Sequence, residues 1–80
     1  MQFAAPVPVK WIASFINAEI DGNENGAATG INEIHSVQPG DIIFVDHPKY
    51  YTSSVNSAAS FIIINKKTDV PAGKALLIRA

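Results

Sequence analysis

The sequence contains no cysteine. That excludes a disulfide framework, a thiolate metal site and a cysteine nucleophile, and it fits a reducing compartment, read here as the cytoplasm. Long apolar runs are absent too. Nothing approaches the ~18 residues needed to cross a bilayer as a helix, so no membrane span is expected. The opening Met1-Gln2-Phe3-Ala4-Ala5 lacks the basic start and extended apolar core of a signal peptide. Charge of one sign is also missing. Six Lys and Arg stand against seven Asp and Glu, for a net charge of −1, with no basic run. This argues against nucleic acid as a partner. Gly22 and Gly26 are not followed by Gly-Lys-Ser/Thr, so they do not make a phosphate loop. No Ser sits in a recognisable nucleophile elbow, and no internal repeat or linker breaks the chain. What remains is a globular composition, 48% apolar over 80 residues, enough for one small domain with a modest core.

The apolar pattern sets the elements. Pro6 and Pro8 make Met1 to Val7 extended or irregular, and Pro8 suits the first turn of a helix. Val9, Ile12, Ala13 and Ile16 recur at helical spacing, with Trp11 and Phe15 four apart on a neighbouring face, and the stripe reads as core. Asn17 ends this helix and Ala18-Glu19-Ile20 begins a short strand. Asp21 to Gly26 reads as a hairpin connection. Ala27 to Ile34 reads as strand and extended chain with Ile31 and Ile34 inward. Tyr51 to Ala59 is a weak helix, Phe61 to Ile64 a buried strand, and Lys74 to Arg79 a last strand. The expected fold is a small single α/β domain, a mixed β-sheet flanked by one or two helices.

The chemistry gathers in Val37 to Tyr51. Pro39-Gly40 is a turn signal. The β-branched run Ile42 to Val45 is too short for a helix and reads as a buried strand, stopped by Asp46-His47-Pro48. Phe44 and Tyr50 thus flank the end of a strand, where two aromatics can hold a flat ring between them. Taken alone, they read as core aromatics. Asp46 and His47 are adjacent in an extended stretch and point opposite ways, which argues against a catalytic dyad. His35 stands without a second ligand nearby and reads as a surface or edge residue, so no metal site is expected.

Gly30-Ile31, Ile34, Pro39-Gly40, Phe44 and Pro48-Lys49-Tyr50, in this order and spacing, resemble the N-terminal domain of the UDP-3-O-acylglucosamine N-acyltransferases of lipid A biosynthesis. The resemblance runs from Trp11–Ile16 to Phe61–Asn65 and Lys66, nearly the whole chain. It implies a compact α/β domain, residues 1–80, placed ahead of a left-handed parallel β-helix of hexapeptide repeats that this chain does not contain. The chain is accordingly read as one domain of a longer polypeptide. In the family, a histidine on the β-helix carries acyl transfer from acyl carrier protein to the glucosamine nitrogen, and the full-length enzyme is a homotrimer. Neither His35 nor His47 matches that motif. The resemblance therefore implies no catalytic residue, cofactor or metal in these 80 residues, and contact with acyl carrier protein only through the absent domain.

What the resemblance does imply is a uridine site. The family's Phe and Tyr sandwich the uracil ring of UDP-3-O-acylglucosamine, and the matching positions are Phe44 and Tyr50. That match reverses the reading of the two rings as core. An Asn commonly stands three residues after the Phe; here it is His47, whose ring nitrogens still donate or accept hydrogen bonds. Asp46 is the strand-end residue whose backbone would read the uracil edge. Two alternatives remain. Val37-Gln38-Pro39-Gly40-Asp41 is similar to the UDP-sugar motif of the Mur ligase N-terminal domain, although Phe44 lies three residues after Asp41 instead of two, and Glu33-Ile34-His35 stands where those ligases carry Asp-Ser-Arg. The second alternative is a small protein-interaction module using the sheet edge and the aromatic pair.

Overall fold

The computed structural model describes residues 1–79. In chain order the elements are β1 (Gln2–Pro8), α1 (Val9–Ile16), β2 (Glu19–Gly22), β3 (Ala27–Ile31), β4 (Asp41–Val45), a 3-10 turn (Pro48–Tyr50), α2 (Tyr51–Val55), β5 (Phe61–Ile64) and β6 (Ala75–Ile78). The six strands form one mixed sheet in the order β1-β3-β4-β5-β6-β2. The middle strands β3, β4, β5 and β6 run parallel, and the edge strands β1 and β2 are antiparallel to their neighbours. This is a small α/β domain with a short helix on each face of the sheet.

Parallel strands covered on both faces carry continuous apolar runs. That is why Ile42–Val45, Phe61–Ile64 and Ala75–Ile78 read so plainly. Alternate residues split between two cores. Ile42, Phe61, Ala75 and Leu77 pack with Val9 and Ala13 of α1. Ile43, Val45, Ile62, Ile64 and Leu76 pack with Val55 of α2 and Ala59. Helix α1 ends where Asn17 takes a left-handed conformation (φ 58°) and Ala18 N–H donates to the Ala13 carbonyl at 2.8 Å.

Several expectations are corrected. The Asp21–Gly26 connection is not a hairpin, because β2 pairs with β6 while β3 pairs with β1 and β4. The loop instead carries the chain across the sheet, held by Asn23 N–H to Lys74 carbonyl (2.9 Å) and Val9 N–H to Gly26 carbonyl (3.0 Å). Turn residues specify a reversal, not which strands will pair. The extended start is a true strand, since prolines are tolerated on an edge. Ile31 is exposed and Ile34 only half-buried, because β3 ends at Ile31 and residues 34–36 form a turn. Helix α2 stops at Val55, not Ala59. Asn56 and Ser57 side chains bond back to the Thr52 and Ser54 carbonyls, and the Lys74 ammonium donates to the Val55 and Ser57 carbonyls. These local partners replace the next helical turn. Trp11 and Phe15, on the neighbouring face of α1, are 59% and 76% exposed and stack on each other, centroids 5.2 Å apart.

Candidate functional site

A concavity lies at the carboxyl end of β4, the usual place for ligands in open α/β sheets. It is a cleft of about 980 Å³. One wall carries Phe44, Asp46, His47 and Tyr50; the other carries Met1, Ile31 and residues 32–35. All four residues singled out in the sequence therefore border one space. Alternation places Phe44 on the α1 face of the sheet, two residues after Ile42. An eight-residue helix is only about 12 Å long and does not cover this end. Phe44 is left 62% exposed and Tyr50 49% exposed.

The segment that follows β4 is built around His47. Its Nδ1 accepts the Lys49 N–H at 3.1 Å and caps the 3-10 turn, with Pro48 pre-set in the first position. Tyr50 N–H donates to the His47 carbonyl at 2.9 Å. Because Nδ1 accepts, a neutral imidazole carries its proton on Nε2 and offers a donor there. Nδ1 is thus turned to the Lys49 amide. The His47 and Tyr50 rings meet at 5.8 Å and 59°, and the Lys49 ammonium lies 5.6 Å from the Tyr50 ring centroid. The neighbour Tyr50 meets is His47, which leaves Phe44 and Tyr50 as two separate aromatic surfaces on one cleft.

The opposite wall was the part the sequence did not reveal. It is held by Asp41, which is only 2% exposed. Asn32 Nδ2 donates to its carboxylate at 2.8 Å and Gln38 N–H at 2.9 Å. The Asn32 bond, then the Gln38 bond, lower the Asp41 pKa against the opposing effect of burial, and the N-terminal ammonium acts in the same direction as the bonds. The Met1 ammonium also donates to the Ile31 carbonyl (2.7 Å) and to Asn32 Oδ1 (3.2 Å), so Asn32 is fixed from both sides. Gly30 is required here: a Cβ would sit 2.6 Å from the Met1 carbonyl and 2.9 Å from Asp41 Oδ1. His35, read in the sequence as a residue without a role, also borders the cleft. The only available signal for this wall was the Gly30–Asn32–Asp41 spacing, which does not announce itself without the register of β3 on β4.

Among the described residues, no group of three or more His, Cys, Asp or Glu could hold a metal ion, and no helix is long and apolar enough to cross a membrane. The cleft presents two exposed aromatic residues, Phe44 and Tyr50, together with the His47 imidazole.

Residues 28–80 match the family described as UDP-3-O-(3-hydroxymyristoyl) glucosamine N-acyltransferase, LpxD. The chain is 36% identical over 66 residues to the UDP-3-O-acylglucosamine N-acyltransferase of Bacteroides thetaiotaomicron, covering 82% of this chain and 18% of that protein. It is 33% identical over 63 residues to the enzyme of the same name from Chlamydia pneumoniae, covering 78% and 18%. For the enzyme from Methylacidiphilum infernorum the identity is 31% over 58 residues, covering 72% and 16%. The chain thus spans less than a fifth of the length of these relatives.

Proposed function

Since this chain belongs to the UDP-3-O-acylglucosamine N-acyltransferase family, we propose that its 80 residues form that family's N-terminal uridine-recognising domain. In this reading Phe44 and Tyr50 hold the uracil ring of UDP-3-O-acylglucosamine. His47 offers Nε2–H to an acceptor on the ligand, and the Asp46 backbone lies at the uracil edge. The observation that carries the proposal is the convergence of two exposed aromatic rings and a donor-presenting imidazole on one cleft. A base gains about 1–3 kcal/mol for each aromatic face it stacks on, and the cleft falls within the roughly 300–1,000 Å³ of small-molecule sites. Family membership removes the ligase alternative.

Acyl transfer itself belongs, in this proposal, to the part of the family-length enzyme beyond these residues. That part would meet acyl carrier protein and assemble the homotrimer, in the cytoplasm of a Gram-negative cell making lipid A. The 80 residues supply recognition without a cofactor or metal.

The test is an NMR titration of the chain with uridine monophosphate and adenosine monophosphate. Uridine monophosphate should shift the amides around Phe44 and His47–Tyr50 at millimolar concentration, and adenosine monophosphate should shift them far less. Equal shifts from both, or none at these amides, would contradict the proposal.

A further inference from the structure

Asn65, immediately after β5, lies outside the cleft lining and has no part in the reading given above. Yet its carboxamide touches both ends of the segment that carries His47 and Tyr50. Asn65 Nδ2 donates to the Asp46 carbonyl at 3.2 Å, and Asn65 Oδ1 accepts the Tyr51 hydroxyl at 2.5 Å. The orientation of the amide is forced. The Asp46 carbonyl has no proton to give, so only the NH₂ can face it, and the oxygen is left for Tyr51. Between these two points the bonds are local: Lys49 N–H to His47 Nδ1, Tyr50 N–H to the His47 carbonyl, Tyr51 N–H to the Pro48 carbonyl and Ser53 Oγ to the Tyr50 carbonyl.

We propose that Asn65 is a positioning residue: one side chain pins both ends of the 46–51 segment to β5, and so sets the separation and tilt of the Tyr50 ring relative to Phe44. The geometry suits that task. Phe44 is fixed by the β4–β5 register, paired with Ile63, two residues before Asn65. A clamp springing from the same strand therefore references Tyr50 to the frame that holds Phe44. Tyr51 is well suited as the second anchor because its ring packs on the α2-side core while its hydroxyl reaches Asn65. The effect on a ligand rests on the uridine reading; the effect on the segment does not.

The experiment compares wild type with Asn65→Ala, Asn65→Asp and Tyr51→Phe in the 80-residue chain. The readouts are amide exchange by NMR, affinity for uridine monophosphate and thermal melts. Asn65→Ala should speed exchange at Lys49 and Tyr50 about tenfold and weaken the nucleotide by a similar factor, while Ile62 and Ile64 of β5 exchange as before. Tyr51→Phe keeps the packing and loses one anchor, so its effect should be smaller. Asn65→Asp turns an anion to the Asp46 carbonyl and should be at least as severe as Asn65→Ala. Should the exchange respond in this way while wild type binds no uridine monophosphate, the clamp stands and the uridine reading fails. Unchanged exchange at Lys49 and Tyr50 in Asn65→Ala, or acceleration spread evenly over β5, would overturn the clamp.

Discussion

At the scale of single residues, stacking and packing make opposite demands. A ring that binds a ligand is left open and contributes little to folding; a ring in the core does the reverse. Tyr50 is half exposed, as the proposed uridine site requires, so under that proposal Tyr50→Ala should melt near wild type and abolish uridine monophosphate binding. Phe44→Ala should fall between wild type and a core truncation, because β4 holds its backbone in the sheet while its ring stands open. Ile62→Ala, at a site with no exposure, is the reference and should cost about 2–5 kcal/mol. Melts and titrations of the three variants check this together. A collapse of Tyr50→Ala would make the ring structural. The aromatic pair was legible because Phe44 and Tyr50 flank a strand stop, and the resemblance supplied the reason to favour exposure. The Val9, Ile12, Ala13 and Ile16 stripe is core, while Trp11 and Phe15 on the neighbouring face are exposed, because helical spacing identifies a face but not whether anything covers it.

At the scale of elements, the cleft depends on how β3 is tied to β4. Asp41, Asn32 and Gln38 make that tie, and it carries a pH signature. The folded-state pKa of Asp41 is lowered, so near that range the unfolded chain binds more protons than the folded one. The stabilisation is present above the ordinary carboxyl value, about pH 4, and is lost as pH falls through the lower folded value. Wild type should therefore lose melting temperature on acidification below about pH 4. Asp41→Asn should begin about 1–3 kcal/mol less stable at neutral pH and show a weaker acid dependence. Matching acid slopes in the two proteins would count against the tie. Elements and topology were not equally legible. Strands β4, β5 and β6 follow from four-residue apolar runs that only a doubly covered sheet needs. The β2–β3 connection misled because Asp, Asn and Gly report a change of direction and nothing about the destination. The length of α2 misled because Asn56, Ser57 and Lys74 end it through contacts that no apolar spacing reports.

At the scale of the whole molecule, two short helices leave the carboxyl end of β4 open, and Ile31, Ile34, Phe44 and Tyr50 of the family motif border the cleft there. Pro39-Gly40 starts β4, where Gly40 adopts φ +93° and its N–H donates to Ser60 Oγ at 2.8 Å. Phe44 lies near the end of that strand, and the 3-10 turn Pro48–Tyr50 brings Tyr50 to the cleft. The opposite wall, from Ile31 to His35, takes shape only once β3 and β4 run parallel in register, which is why the sequence left His35 without a role. The central claim is that this cleft closes on uracil, and a crystal of the chain soaked with uridine monophosphate tests it most directly. The account predicts a pyrimidine lying flat between the Phe44 and Tyr50 rings, with His47 Nε2 within hydrogen-bond distance of a ligand oxygen. A nucleotide bound elsewhere, or one whose base lies in the cleft without stacking on either ring, would contradict it.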